Sequence, residues 1–225
     1  MSEYAISPTI TILCDVSLES IILAAFAHQE HENFEFAYFW RQDDTRDCAY
    51  VLPRLQKLAD HFNVPYRLYE RPEMLPQNPL LKATQLGLSL LQDCKTRRIE
   101  SIWSALTYTD VISVKQRQAD CAAGEVFLSA TNALFSTAQT TLDSSRDYVG
   151  VVTFEHPLFM HKLLSLAKLS RQVHAPMYLG ASCENPINGR RACNVCRGCR
   201  IQACLEHSCN LLTDTERMQQ NALID

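Results

Sequence analysis

Glycine is scarce in this sequence, at only 6 of 225 residues. Loops that wrap phosphate with backbone amides rely on Gly for positive φ and close approach, so a Gly-rich phosphate cradle is not expected here. Long apolar runs are missing as well. The longest, Ile21 to Ala27, cannot span a bilayer, and its flanks lack a cleavable signal pattern. Net positive charge is also absent. With 21 basic and 25 acidic side chains the formal charge is −4, so no global field would hold DNA or RNA, although a local basic patch is allowed. No internal repeat or low-complexity tract is visible. The 47% hydrophobic and 20% charged fractions call for a globular core. These features predict a soluble, cytoplasmic protein with one sizeable domain.

What is present alternates between two periods. Ile10-Thr11-Ile12-Leu13-Cys14 is short and β-branched, as a buried strand should be. A polar turn, Asp15 to Leu18, leads into a helix from Glu19 to Phe26. Phe34 to Trp40 and Val64 to Tyr69 read as strands. Between them Leu55, Leu58, Ala59 and Phe62 share a helical face, with Pro53 starting or kinking that helix. A helix over Leu80 to Cys94, a strand near Ile99 to Ala105, a helix near Glu125 to Thr141 and a strand over Val149 to Phe154 follow. Pro157 is placed for the first turn of a last helix carrying Leu163, Leu164, Ala167 and Leu169. The alternation predicts an α/β fold, a mostly parallel sheet covered by helices on both faces. Near Gly180 the composition turns cysteine-rich, which divides the chain into a body over 1–179 and a C-terminal segment over 180–225.

Ten cysteines is a high count, and four fall in one run, Cys183-x9-Cys193-x2-Cys196-x2-Cys199. In a reducing compartment such a cluster points to metal. Two residues between thiolates let a tight turn aim both sulfurs at one ion about 2.3 Å away, as tetrahedral zinc requires. Arg190, Arg191, Arg197 and Arg200 are close enough in sequence to offset the charge of four thiolates. An iron–sulfur cluster is the main competitor. Against it, the remote Cys precedes the run and no Pro follows Cys199. A redox pair and an ion-free cysteine core also compete with zinc. With four protein ligands the zinc would be structural.

The strand–turn–helix at the N-terminus, Phe154-Glu155-His156-Pro157-Leu158 with Lys162 after it, and the four-cysteine knob resemble the 7-cyano-7-deazaguanine synthase family. That family belongs to the PP-loop (N-type) ATP pyrophosphatases, and the resemblance runs over essentially the whole chain. It implies a Rossmann-like fold of the adenine nucleotide α-hydrolase type and a C-terminal zinc knob. The implied activity is an ATP-dependent ligation that converts a 7-deazaguanine carboxylate to a nitrile through an amide. It also implies that Lys162 and Asp110 serve catalysis, and that Ser17, Glu19 and Ser20 belong to the ATP loop.

That loop departs from the family pattern. Ser-Gly-Gly-x-Asp-Ser falls on Asp15-Val16-Ser17-Leu18-Glu19-Ser20, where Ser20 alone matches and Glu19 loosely replaces Asp. Val16 is β-branched and is expected to avoid the positive φ that Gly adopts. Asp15 adds a negative charge where pyrophosphate would sit, and Asp15 or Glu19 is expected to cap the helix from within. The family's Pro-x-Arg-Asn appears as Pro76-Gln77-Asn78-Pro79, its middle Gly as Ala105, and its Asp-Cys-Arg as Asp120-Cys121-Ala122, so both Arg residues are missing. Tyr38 and Arg41 echo a Tyr and Arg after the second strand. Cys204 and His207 stand at ligand-like spacing behind a zinc shell already full. Trp40 and Trp103 are expected as core or pocket-wall aromatics.

The expected function is therefore a synthase-like protein with impaired ATP-dependent activity. It would be repurposed as a binding module for a deazaguanine-type small molecule, as a partner subunit or as a homodimer. By resemblance, deazaguanine-linked DNA modification or phage defence would be its setting. A working ATP-dependent ligase is the competing expectation. Nucleic-acid binding through the knob is disfavoured by charge.

Overall fold

The computed structural model describes residues 8–107, 120–142, 151–161, 163–183, 185–187, 192–196, 198–200 and 202–204. Five parallel strands form one sheet: β1 (Ile10–Leu13), β2 (Phe34–Trp40), β3 (Tyr66–Glu70), β4 (Ser101–Ser104) and β5 (Thr153–Glu155). Their order is β3-β2-β1-β4-β5. The helices are α1 (Leu18–Gln29), α2 (Leu52–Phe62), α3 (Pro79–Arg97), α4 (Asp120–Leu142) and α5 (Leu163–Gln172). The α/β architecture predicted from the two alternating periods is the one observed.

Both faces of the sheet are covered, and β2 shows how. Phe34, Phe36 and Tyr38 enter the core shared with α1, α2 and α5, while Ala37 and Phe39 enter a second core with Leu90, Leu91 and Cys94 of α3 and Phe135 of α4. A strand buried on both faces must read as a continuous apolar run, and this one does, Glu35 excepted. Glu35 is fully buried. It accepts from Thr11 Oγ1 at 2.9 Å and pairs with Arg97 at 2.6 Å and Arg67 at 3.2 Å, so its charge ties β1, β3 and α3 to β2.

Several boundaries differ from the sequence expectation, each for a local reason. Val64 closes α2 instead of opening β3: Asn63 turns left-handed (φ 55°) and the Val64 amide donates back to Ala59. Asn78 caps α3, its Oδ1 accepting from the amides of Leu80 and Leu81, with Pro79 next. Val152 lies outside β5 because the Gln139 side chain pairs with both its N–H and its C=O. The largest correction is at Pro157. No helix starts there; 157–160 is a turn in which Phe159 N donates to His156 O and His161 N to Leu158 O. The turn buries adjacent Leu158 and Phe159 and leaves Met160 outside, and α5 begins only at Leu163. Pro53, by contrast, sits in the first turn of α2, after a π-helical turn over Asp47–Val51.

Glu35→Ala should destabilise the fold by about 1.5–3 kcal/mol, because Thr11 Oγ1 loses its buried acceptor and Arg97, still paired with Asp93 at 2.8 Å, loses its contact across the sheet. Urea unfolding of the variant beside the natural chain measures this, and a change under about 1 kcal/mol would show that the charge is not structural.

Candidate functional site

Strand order reverses between β1 and β4, and in open parallel sheets the crevice beyond the strand C-termini at such a point is where ligands bind. A cleft of about 420 Å³ opens there. Leu13, Ala37, Phe39 and Leu86 make an apolar floor; Asp15, Ser17, Glu19 and Ser20 form one wall; Arg46, Arg71 and Lys82 form another. Ser17, Glu19 and Ser20, placed at the ATP loop from the sequence, are thus brought together at one cleft.

The loop itself corrects one expectation. Val16 adopts φ 58°, the left-handed conformation that glycine favours, despite its branched side chain. Holding a non-Gly residue there costs about 1–3 kcal/mol and needs surrounding structure to impose it. That structure is visible: the Val16 side chain is completely buried in the core, and its carbonyl accepts from Ala181 N at 2.8 Å. The turn therefore keeps its shape without glycine, and Val16 points away from the cleft.

The helix N-terminus is taken by the chain's own groups. Ser17 is the N-cap and its Oγ accepts from Ser20 N at 3.3 Å. Asp15 Oδ1 accepts from Ser17 N at 3.0 Å and from Ser20 Oγ at 2.7 Å. The cap is therefore Ser17 and not the Asp15 or Glu19 expected; Asp15 instead holds the Ser17 amide and the Ser20 hydroxyl in place. Asp15 is closely surrounded by protein, yet its carboxylate reaches solvent through the cleft. Crowding opposes the charge, but bonds from the side chains of Ser20 and Ser17 and from the Ser17 amide, with the field of Lys82, hold the carboxyl below its ordinary value.

The basic wall was not foreseen. Arg71 Nη2 meets Asp44 at 2.8 Å and Asp47 at 3.5 Å, and Arg46 Nη1 lies 3.7 Å from Asp47. Asp47 is fully buried and also accepts from Tyr38 Oη and from the Arg41 amide. Burial and this bond to Asp47 push the Tyr38 phenol well above its ordinary value, so it stays a neutral donor. The Arg41 guanidinium turns outward to Asp43 at 3.2 Å and does not line the cleft. The missed signal was positional: Arg46 and Arg71 follow the C-terminal ends of β2 and β3, the end at which a parallel sheet binds ligands.

The four cysteines converge as expected. Cys183, Cys193, Cys196 and Cys199 place their sulfurs within 4.8 Å of one another, with Cys193 and Cys199 3.9 Å apart. A tetrahedral ion with bonds of about 2.3 Å would set sulfurs about 3.8 Å apart, so the cluster could hold a metal ion such as zinc. Backbone amides already face the sulfurs: Cys193 N donates to Cys183 at 3.2 Å, Cys196 N to Cys193 at 3.4 Å and Cys199 N to Cys196 at 3.4 Å. Such donors favour thiolates. Asn194 turns left-handed (φ 61°) to make this knuckle. Gly198 is required, since a β-carbon would lie 1.7 Å from Ser182 O. Ser182 and Gly198 also line the cleft, and Arg46 Nε donates to Cys183 O at 2.8 Å, so the cysteine knob is one of the cleft walls.

Arg200 uses its Nε on Val195 O, bracing the knuckle backbone. Asp110, Lys162, Arg190, Arg191, Arg197 and His207 lie outside the described residues, as do the side chains of Asp120, Cys121 and Ala122. Cys204 is exposed and is not among the clustered sulfurs. Ala105 lines the cleft. Cys14, also at the cleft, is buried, and burial raises its thiol far out of the reactive range. Among the described residues no helix is long and apolar enough to cross a membrane. No family model and no curated protein matches this chain.

The depressed Asp15 carboxyl makes stability depend on acid. Its contribution is complete above the unfolded value of about 3.9 and is lost as pH falls through the lower folded value. Asp15→Asn should therefore flatten the loss of stability between about pH 5 and pH 2 relative to the natural chain, read as unfolding midpoints in urea. Parallel curves would show that Asp15 carries no charge-dependent load.

Proposed function

We propose that this chain is a divergent member of the 7-cyano-7-deazaguanine synthase family. Its zinc-stapled scaffold no longer binds ATP tightly and serves as a binding module, or as a partner subunit, for a deazaguanine-type small molecule. One observation carries the reading: the Asp15 carboxylate is bonded to Ser17 and Ser20 at the N-terminus of α1, the place an anionic phosphate would use. A carboxylate about 4 Å from a phosphate charge costs about 4 kcal/mol at an effective dielectric of 20. That penalty is close to a thousandfold in affinity. The cleft floor is apolar, which suits the flat face of a heterocycle better than a triphosphate.

A second reading, a working ATP-dependent ligase acting on a 7-deazaguanine carboxylate, has support of its own. Val16 keeps the left-handed turn, and Arg46, Arg71 and Lys82 face the cleft. Arg71 and Arg46 are already committed to Asp44 and Asp47, which leaves Lys82 to offset Asp15. That balance favours the first reading.

Calorimetric titration with ATP, and separately with 7-deazaguanine carboxylate, separates the two. The expected result is no tight ATP binding by the natural chain and a recovered, measurable affinity in Asp15→Ser, because the turn already has the right shape. Tight ATP binding by the natural chain that weakens on Ser20→Ala would establish the ligase reading instead.

Zinc in the knob is part of the same proposal, at one ion per chain. Elemental analysis should find zinc at unit stoichiometry, and Cys193→Ser should lower zinc retention and destabilise the cleft wall with it. Iron with visible absorbance would overturn the zinc assignment.

A further inference from the structure

Two opposite charges line the cleft of about 420 Å³ without touching each other. Asp15 follows β1, and Lys82 stands in the first turn of α3. Both residues are exposed. The field of Lys82 helps to hold the Asp15 carboxyl below its ordinary value, yet no ion pair joins the two. The other cations of the lining are already engaged. Arg71 is held by Asp44 and Asp47, and Arg46 by Asp47 and the carbonyls of Ala181 and Cys183. Among the described residues Lys82 pairs with no carboxylate, so it is the cation left to meet a ligand.

The Asp15 carboxylate is only half engaged. Oδ1 accepts from the Ser17 amide at 3.0 Å and from the Ser20 hydroxyl at 2.7 Å, while among the described residues no donor meets Oδ2. The bonds on Oδ1 hold the carboxylate in place, and its lowered pKa keeps it ionised near neutral pH. Oδ2 is therefore a fixed acceptor with both lone pairs available. Next to the two charges the lining is apolar on two sides. Leu13 and Ala37 stand side by side in register on β1 and β2, with Phe39 two positions on, and Ala83 and Leu86 of α3 lie opposite. Such a slot takes a flat ring, whose polar edge must answer both charges. Asp15 requires a donor and Lys82 an acceptor. An ionised edge would satisfy one charge and oppose the other, so the complement is a neutral edge with donor beside acceptor. A cyclic amide has that edge, an N–H next to a carbonyl.

We propose that Asp15 and Lys82 together read the uncharged polar edge of a flat lactam, Asp15 Oδ2 accepting from its N–H and Lys82 donating to the adjacent carbonyl oxygen. The ring lies between the sheet floor and α3. This deepens, and rests on, the reading of the cleft as a site for a heterocycle. The carboxylate that opposes phosphate is also the group that recognises the ligand. A 7-deazaguanine-type ring carries such an edge, whereas a triphosphate offers Asp15 no donor.

Isoquinolin-1(2H)-one, a bicyclic lactam, and isocoumarin, the lactone of the same shape with oxygen in place of N–H, are the probes. Their affinities are read from the backbone amide shifts of Ser17 and Ser20 during titration. The natural chain should prefer the lactam by about tenfold or more, the effect of one hydrogen bond to a charged group. Asp15→Asn keeps an oxygen for Ser17 and Ser20 and turns an NH₂ toward the cleft, so it should erase that preference. Lys82→Met should weaken lactam and lactone alike, because both keep the carbonyl. Unchanged circular dichroism checks that each variant is folded. Equal binding or no binding of the two probes by the natural chain would overturn the proposal. So would a lactam preference that survives Asp15→Asn, or affinities that Lys82→Met leaves unchanged. 7-Deazaguanine carboxylate separates this inference from the reading beneath it. Binding that Asp15→Asn does not weaken overturns the edge assignment alone. Absence of binding, with the lactam preference intact, overturns the deazaguanine reading alone.

Discussion

The hydrogen bond from the Ala181 amide to the Val16 carbonyl, 2.8 Å long, holds the functional end of this molecule together. It joins the turn after the first strand to the segment that leads into the cysteine knob. Without such an anchor a valine would not stay at φ 58°, because its branched side chain crowds the backbone there. With it the turn keeps a shape for which glycine is the usual solution. Arg46 doubles the tie by donating to the carbonyls of Ala181 and Cys183. The cysteine knob and the cleft walls are therefore one mechanical unit.

Around that unit the charges are arranged in two self-contained groups. Asp44 and Asp47 hold Arg71 and Arg46, and the buried Asp47 is satisfied further by Tyr38 and the Arg41 amide. Asp15 is satisfied by Ser17 and Ser20 and faces Lys82 across the opening. Each group is close to neutral and Glu19 adds one more acidic charge on the Asp15 wall, so the cleft has local polarity without a net positive field. A highly charged anion gains little from such a surface, whereas a flat molecule with separate donor and acceptor edges finds both, above an apolar floor.

Local chemistry was legible wherever neighbours in sequence are also neighbours in space. The cysteine spacing announces the knuckle, because tight turns between thiolates are short-range objects. The strand and helix periods announce a parallel α/β sheet, and the polar turn over Asp15 to Leu18 announces the start of a helix, although the cap itself is Ser17. Pro157 misled because a proline in a first helical turn and a proline in a tight turn look alike; burial of Leu158 and Phe159 together selected the turn. Val152 likewise reads as strand, yet Gln139, thirteen positions earlier, takes its backbone groups.

By itself, then, the sequence determined the fold class and the four-cysteine cluster, since periodicity and cysteine spacing act over a few residues. Tertiary structure decided the rest. Val16 could be held left-handed only by a partner 165 positions away, at Ala181. Arg46, Arg71 and Lys82 became one wall only because strand order brings two separate connections, after β2 and after β3, to the same end of the sheet. These are long-range packing outcomes, set by which surfaces the whole chain must bury at once, and no window of sequence contains them.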